Sequence, residues 1–368
     1  MFAVIILLYV LYLASFFYLA KRFIFVFKIA SPLCPYIYAM CAVLSIFSVI
    51  SFIGRRAEHS LVSYIAPLSF IVMGVWAITI SFSIINEILN TLNIFVKIKN
   101  FRYYSTLITM CVSIAASFWA LANSAFILNI RPVSINTPDL PVETLKIVQL
   151  SDIHINGNTN PESIRALFKS ASAQNADIIV LTGDIIDVDI LADGRFSRYG
   201  FDELTAKYGV FAVTGNHDHY TGKEIFYGLC EKLNIHTLKN SAYLIGGVIN
   251  IAGIEDTAHN NPALISGAFA AADSRYPVLF LSHRPEPFNT AAESGGAPSS
   301  GVIQLSGHTH AGQIPPVEIA RRFFMKYNYG LYRQNGAVMY VSSGARYWGP
   351  PMRLGNTAEI AVITLSRR

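Results

Sequence analysis

Four uncharged apolar runs fill the first 130 residues, and a chain carrying them cannot fold around a single water-soluble core. They cover residues 2–20, 29–54, 61–86 and 103–130, and a helix crossing a hydrocarbon layer needs about 20 such residues. Charge closes each run: Lys21 and Arg22, then Arg55 and Arg56, then Glu87 with Lys97, Lys99 and Arg102, and last Arg131 before Pro132. The first run has no basic stretch ahead of it, so it reads as a span and not as a cleaved signal. Residues 1–130 are therefore expected to form a four-helix transmembrane anchor in a cell or inner membrane.

Basic residues in short loops favour the cytoplasmic face. Lys21, Arg22, Lys28, Lys97, Lys99 and Arg102 fall on one face, against Arg55, Arg56 and Arg131 on the other. Both chain termini and the polar region are thus expected on the extracytoplasmic side. No Asp, Lys or Arg interrupts a run, which favours an anchor over a transport path.

The formal charge of +5 has the same origin. Residues 1–130 hold 8 of the 28 Lys/Arg but only 2 of the 23 Asp/Glu. The remainder is close to neutral and has no basic stripe, so nucleic acid is not an expected partner. No obligate protein partner is evident either. Cys34, Cys41, Cys111 and Cys230 form no CxxC pair and no disulfide framework. Residues 131–143, with Pro132, Pro138 and Pro141, read as a stiff extended linker.

From residue 144 the texture becomes that of a layered α/β domain. Apolar β-rich runs at 145–150, 178–182, 210–214, 248–251, 278–282, 302–306, 337–342 and 360–365 alternate with helix candidates at 161–174, 222–233, 262–272 and 285–294. Asn160 before Pro161 reads as the cap and first position of one helix. Continuous apolar strands are buried on both faces, which requires helices on either side.

The polar residues at the ends of these runs carry the chemistry. The first run ends in Ser151-Asp152-Ile153-His154, the second in Gly183-Asp184-Ile185-Ile186-Asp187, the third in Gly215-Asn216-His217-Asp218. Later ones end in Ser282-His283-Arg284 and Gly307-His308-Thr309-His310. The carboxyl ends of parallel strands share one edge, where ligands bind. Five strand ends thus deliver Asp152, Asp184, Asn216, His154, His283, His308 and His310 to one place. Mixed nitrogen and oxygen donors suit Mn, Fe or Zn, and seven ligands fit two ions sharing a carboxylate, the arrangement that clamps a phosphoryl displacement. Gly183, Gly215 and Gly307 each precede a ligand and let the backbone come close. Loss of a ligand would favour a non-catalytic binding or transport-associated module; none is missing.

The order D-x-H, G-D-x-x-D, G-N-H-D, a lone His and G-H-T-H resembles the calcineurin-like metallophosphoesterase superfamily over residues 146–366. The longer forms at 307–313 and 348–353 are similar to its membrane-associated YaeI/YkuE-like branch, which includes the vertebrate transmembrane protein with a metallophosphoesterase domain. The resemblance implies a four-layer αββα sandwich over residues 144–368. It implies Asp152, His154 and His310 on a first metal, Asn216, His283 and His308 on a second, and Asp184 bridging, with Mn favoured. His217 is implied to act on the leaving oxygen, oriented by Asp218, while Asp187 is expected to support the site without touching metal. The expected substrate is a phosphodiester, pyrophosphate or phosphomonoester, lipid-linked or from the cell envelope. Arg321 to Tyr329 mixes cations and aromatics as interfacial segments do, or is a packed helix or hairpin leading into Leu331-Tyr332-Arg333.

Overall fold

The computed structural model describes residues 2–54, 61–192, 194–259, 261–293 and 301–367. Two compact units emerge. The first is Met1–Phe126 with Ile314–Ala320 and Gly349–Gly355; the second is Ile127–Gln313, Arg321–Trp348 and Asn356–Arg368.

The first unit is built from helices α1 (Phe2–Phe27), α2 (Cys34–Gly54), α3 (Leu61–Val96) and α4 (Phe101–Phe126). Charge does not end these helices where the sequence suggested, because it is paired. Arg22 forms an ion pair with Glu87, and Tyr18 Oη donates to Glu87 at 2.8 Å. α1 and α3 therefore continue past both charges. Among the described residues, three apolar stretches are long enough to cross a membrane: Tyr9–Phe27, Ile65–Val96 and Phe101–Phe126. The second expected span is apolar over Ser31–Phe47 and lies in α2, which runs on to Gly54; its side chains beyond Phe47 lie outside the described residues. Arg55 and Arg56 lie outside the described residues. On α3 and α4 sit the two later segments of this unit. Met352 is fully buried with Ile314, Ala77, Ile78 and Ala120. The Arg353 amide donates to the Ala120 carbonyl at 3.0 Å, and Asn123 Nδ2 donates to the Arg353 carbonyl at 2.9 Å.

The second unit holds strands β1 (Leu128–Asn136), β2 (Thr144–Leu150), β3 (Ile178–Thr182), β4 (Val210–Val213), β5 (His236–Thr237), β6 (Ser241–Ile245), β7 (Ile249–Gly253), β8 (Val278–Leu281), β9 (Val302–Ser306), β10 (Gly330–Gln334), β11 (Ala337–Val341) and β12 (Ala358–Ser366). Helices α5 (Pro161–Ser172), α6 (Asn216–Thr221), α7 (Lys223–Lys232), α8 (Pro262–Ala270) and α9 (Phe288–Glu293) belong to this unit, and α10 (Val317–Phe324) begins in the first unit and ends in the second. The strands form two six-stranded sheets, β1-β12-β2-β3-β4-β5 and β10-β11-β9-β8-β7-β6.

Period-two alternation explains the layers. Ile147, Ile178, Val180 and Phe211 meet Ile251, Leu279, Leu281, Ile303 and Leu305 between the sheets. The alternate residues Val148, Leu150, Ile179 and Leu181 face Ile164 and Phe168 of α5 and Phe226 and Leu229 of α7. On the far side Val278, Phe280 and Met339 face Phe269 of α8 and Phe288 of α9. Two sheets covered by helices on their outer faces are the expected four layers. Each such apolar side chain contributes about 1.5–3 kcal/mol on burial. Asn160 caps α5 as expected, accepting from the Glu162 amide at 3.0 Å.

Two expectations change. Residues 131–136 are not linker but most of β1, paired in parallel with β12, with Pro132 opposite Val362; an edge strand tolerates proline because one side needs no donor. The last apolar run of the anchor breaks at Phe126, and Leu128 already pairs with Ala358. The stretch from Arg321 follows the helix-and-hairpin alternative: it is the end of α10 and then the lead into β10, which pairs antiparallel with β11.

Candidate metal centre

The five ligand-bearing strand ends do not share one sheet edge. β2, β3 and β4 are adjacent and parallel in the first sheet, and β8 and β9 are adjacent and parallel in the second. Their carboxyl ends converge, and the sheets are tied there. Gln149 Nε2 donates to the Ser306 carbonyl at 2.9 Å, and His283 Nδ1 donates to the Thr182 carbonyl at 2.8 Å.

The backbone at the site is held in an uncommon conformation. Asp152, His154, Asp184, His308 and His310 have φ between 50° and 71°, a left-handed region that costs such residues about 1–3 kcal/mol each and persists where the surroundings enforce it. This bend lets residues two apart, which a flat strand would send to the same face at a distance, close on one point. Close approach also explains two glycines. A Cβ on Gly215 would collide with the Asp184 carboxylate, and one on Gly307 with Ser151 Oγ and the Asp152 carboxylate.

Three groupings of donor atoms lie within 4.8 Å: Asp152, His154 and His310; Asp152, Asp184 and His283; and His154, Asp184 and His217. Both carboxylates are shared, so Asp152 as well as Asp184 occupies a central position. His154 Nε2 and His310 Nε2 face each other at 3.1 Å. His310 Nε2 lies 3.3 Å from Asp152 Oδ1, and His283 Nε2 lies 3.3 Å from Asp184 Oδ2. His308 Nδ1 is 3.3 Å from His283 Nε2, while its Nε2 accepts from Arg284 Nη1 at 3.1 Å. Arg284 is itself fixed by Asp256 at 2.8 Å.

Electrostatics reflect this crowding. Burial opposes the charge on His283, yet Asp184 and Asp152 hold its imidazolium up to about 10. Burial, together with the nearby His283 and Arg284 cations, presses His308 down to about 2, leaving it a neutral imidazole. Burial also works against the Asp184 carboxylate, but His283, His154 and His217 outweigh it and keep the group ionised.

His217 is oriented by a different carboxylate from the one expected. Its Nδ1 is 2.8 Å from Asp187 Oδ1, and the same oxygen is 3.1 Å from His154 Nδ1. Asp218 instead accepts four backbone N–H groups, from Asp184 and Gly215 at 2.8 Å and from Ile185 and Ile186 at 3.0 Å. Consecutive residues of α6 point about 100° apart around the helix, so His217 and Asp218 do not face each other. The G-D-x-x-D spacing held the signal for Asp187. Tyr220 and Trp348 flank His217, with ring centroids 5.5 and 5.8 Å away; no motif singled out the Tyr220 contact.

The donor set fits divalent cations. Two carboxylates and several imidazole nitrogens converge, and the buried Asn216 Oδ1 has no hydrogen-bond partner among the described residues. Asp187 on His154 and the Thr182 carbonyl on His283 fix the tautomers that turn Nε2 inward, the support typical of imidazoles that bind metal.

Residues 145–312 match the family described as calcineurin-like phosphoesterase. An uncharacterized metallophosphoesterase of Helicobacter pylori strain J99 is 32% identical over 243 residues, covering 64% of this chain and 64% of that protein. This chain therefore spans just under two thirds of that relative. The transmembrane protein with metallophosphoesterase domain of Danio rerio is 26% identical over 333 residues, 83% of this chain and 74% of the relative. The uncharacterized metallophosphoesterase YkuE of Bacillus subtilis is 29% identical over 231 residues, 60% of this chain and 78% of the relative.

Proposed function

We propose, from the match of residues 145–312 to the calcineurin-like phosphoesterase family, that this chain is a membrane-anchored, two-metal phosphoester hydrolase. The observation that carries the reading is the convergence of two triads that share Asp152, one with His154 and His310 and one with Asp184 and His283, the donor atoms of each lying within 4.8 Å of one another. Asp152, His154 and His310 would hold one ion and Asn216, His283 and His308 the other, with Asp184 shared. Divalent ions held there supply Lewis-acid charge for the phosphoryl oxygens and a nucleophile at neutral pH, Mn being the favoured metal.

The chain's own groups do the rest. Asp187 engages His217 at Nδ1, so a proton passes to the leaving oxygen from Nε2. The Asp184 carboxylate also accepts from the His217 amide at 2.8 Å, which fixes this ring relative to the metal ligands. Asp218 holds the turn after β3 through its four backbone hydrogen bonds.

The three apolar helices and the similarity to transmembrane relatives support membrane association. The loop charges favour an extracytoplasmic catalytic domain, and a lipid-linked or cell-envelope phosphoester is the proposed substrate. Hydrolysis of bis(4-nitrophenyl) phosphate by the detergent-solubilised chain with Mn tests the activity. Asp184→Asn is expected to abolish turnover, and full turnover in that variant overturns the reading. A phosphatase fused to the C-terminus is expected to be active and a fluorescent protein dark; the reverse overturns the orientation.

A further inference from the structure

The helices of the first unit surround an apolar cavity of about 520 Å³. Phe16 and Phe23 of α1, Met40 of α2, Val75 and Trp76 of α3 and Met110 of α4 line it. Four of its hydroxyls make no demand on an occupant. Thr79, Thr106, Thr109 and Ser113 donate back to carbonyls of their own helices, leaving the body of the cavity apolar. Helices in an apolar surround are held by close packing, and a void forfeits those contacts.

The Arg22 end of the cavity is charged. Arg22 lines it and pairs with Glu87. Arg102 also approaches Glu87, at 3.9 Å. Two guanidiniums against one carboxylate leave one positive charge. Arg22 Nε is buried and has no acceptor among the described residues. A buried N–H at the mouth of an apolar cavity, within a net cationic cluster, calls for an anionic oxygen carried on a hydrocarbon chain.

We infer that this cavity binds an anionic glycerophospholipid, its acyl chain filling the apolar body and a phosphodiester oxygen accepting from Arg22 Nε. The volume lies in the roughly 300–1,000 Å³ range of small-molecule sites, enough for one chain. The inference stands whether or not the chain hydrolyses phosphoesters.

The test uses the full chain in phosphatidylcholine nanodiscs doped with phosphatidylglycerol carrying a photoreactive diazirine in its acyl chain, beside the same probe on a choline headgroup. Adducts are expected on Met40, Trp76 and Met110, with the glycerol probe labelling more strongly. Arg22→Gln is expected to lower labelling by the glycerol probe about tenfold and that by the zwitterionic choline probe less, so that the preference for the glycerol headgroup is lost. Val75→Trp, which fills the cavity, is expected to remove labelling at Met40 and Met110. Melting temperature monitors folding of both variants, and the Arg22→Gln result stands if Val75→Trp fails to fold. Equal labelling by both headgroups, adducts confined to outward residues such as Phe118, or labelling unchanged by Arg22→Gln overturns the inference.

Discussion

Asp187 touches two imidazoles through one oxygen, His217 at 2.8 Å and His154 at 3.1 Å. A carboxylate so placed sets the tautomer of both rings. Asp187→Asn is therefore expected to lower kcat about 10²-fold with little change in melting temperature, since the asparagine keeps the shape. Asp218→Asn is expected to behave differently. It turns an amide N–H toward backbone N–H donors now satisfied by the carboxylate, and should cost roughly 3 kcal/mol of stability, read by thermal unfolding. A stable, fully active Asp218→Asn protein would contradict this division. The residue types of the site were legible because Asp, Asn and His come after apolar runs at positions 152, 154, 184, 216, 283, 308 and 310. The partner of His217 was not, because sequence adjacency suggested Asp218 while helix geometry turns that residue away.

At the scale of elements, close backbone approach does as much as the ligands. Gly307→Ala puts a methyl group against Ser151 Oγ and the Asp152 carboxylate. It is expected to displace Asp152 and to weaken metal retention, measured by metal analysis after dialysis against a mild chelator. Retention equal to wild type would count against the geometry described. In the first unit a Cβ on Gly74 would stand 2.5 Å from Met352 Sδ, so Gly74→Leu is expected to cost about 1–3 kcal/mol by overpacking, read as a lowered melting temperature in detergent. Strands such as β3 and β8 were legible because each is buried along its whole length and reads as an apolar run. β1 was hidden by its exposure at the sheet edge and by Pro132. The division of β2, β3 and β4 from β8 and β9 into separate sheets was hidden too, because identical apolar runs do not say which strands pair.

At the scale of the whole molecule, an apolar array and a near-neutral α/β domain occupy one chain, but the boundary is not a simple cut after the fourth helix. Residues 314–320 and 349–355 belong to the helical unit, where Met352 and Ile314 are buried. A chain beginning at residue 127 would leave these apolar side chains without their cover. It is expected to aggregate without detergent in size-exclusion chromatography, and a monodisperse soluble species would contradict this. The low charged fraction, 14%, thus reflects two apolar demands, helices suited to hydrocarbon and strands buried on both faces. The central claim is that the converging aspartates and histidines hold two divalent ions, and the metal content of the purified full chain tests it most directly. About two ions per chain, falling sharply in Asp184→Asn, is the predicted result; a wild-type chain that retains no stoichiometric metal would contradict it.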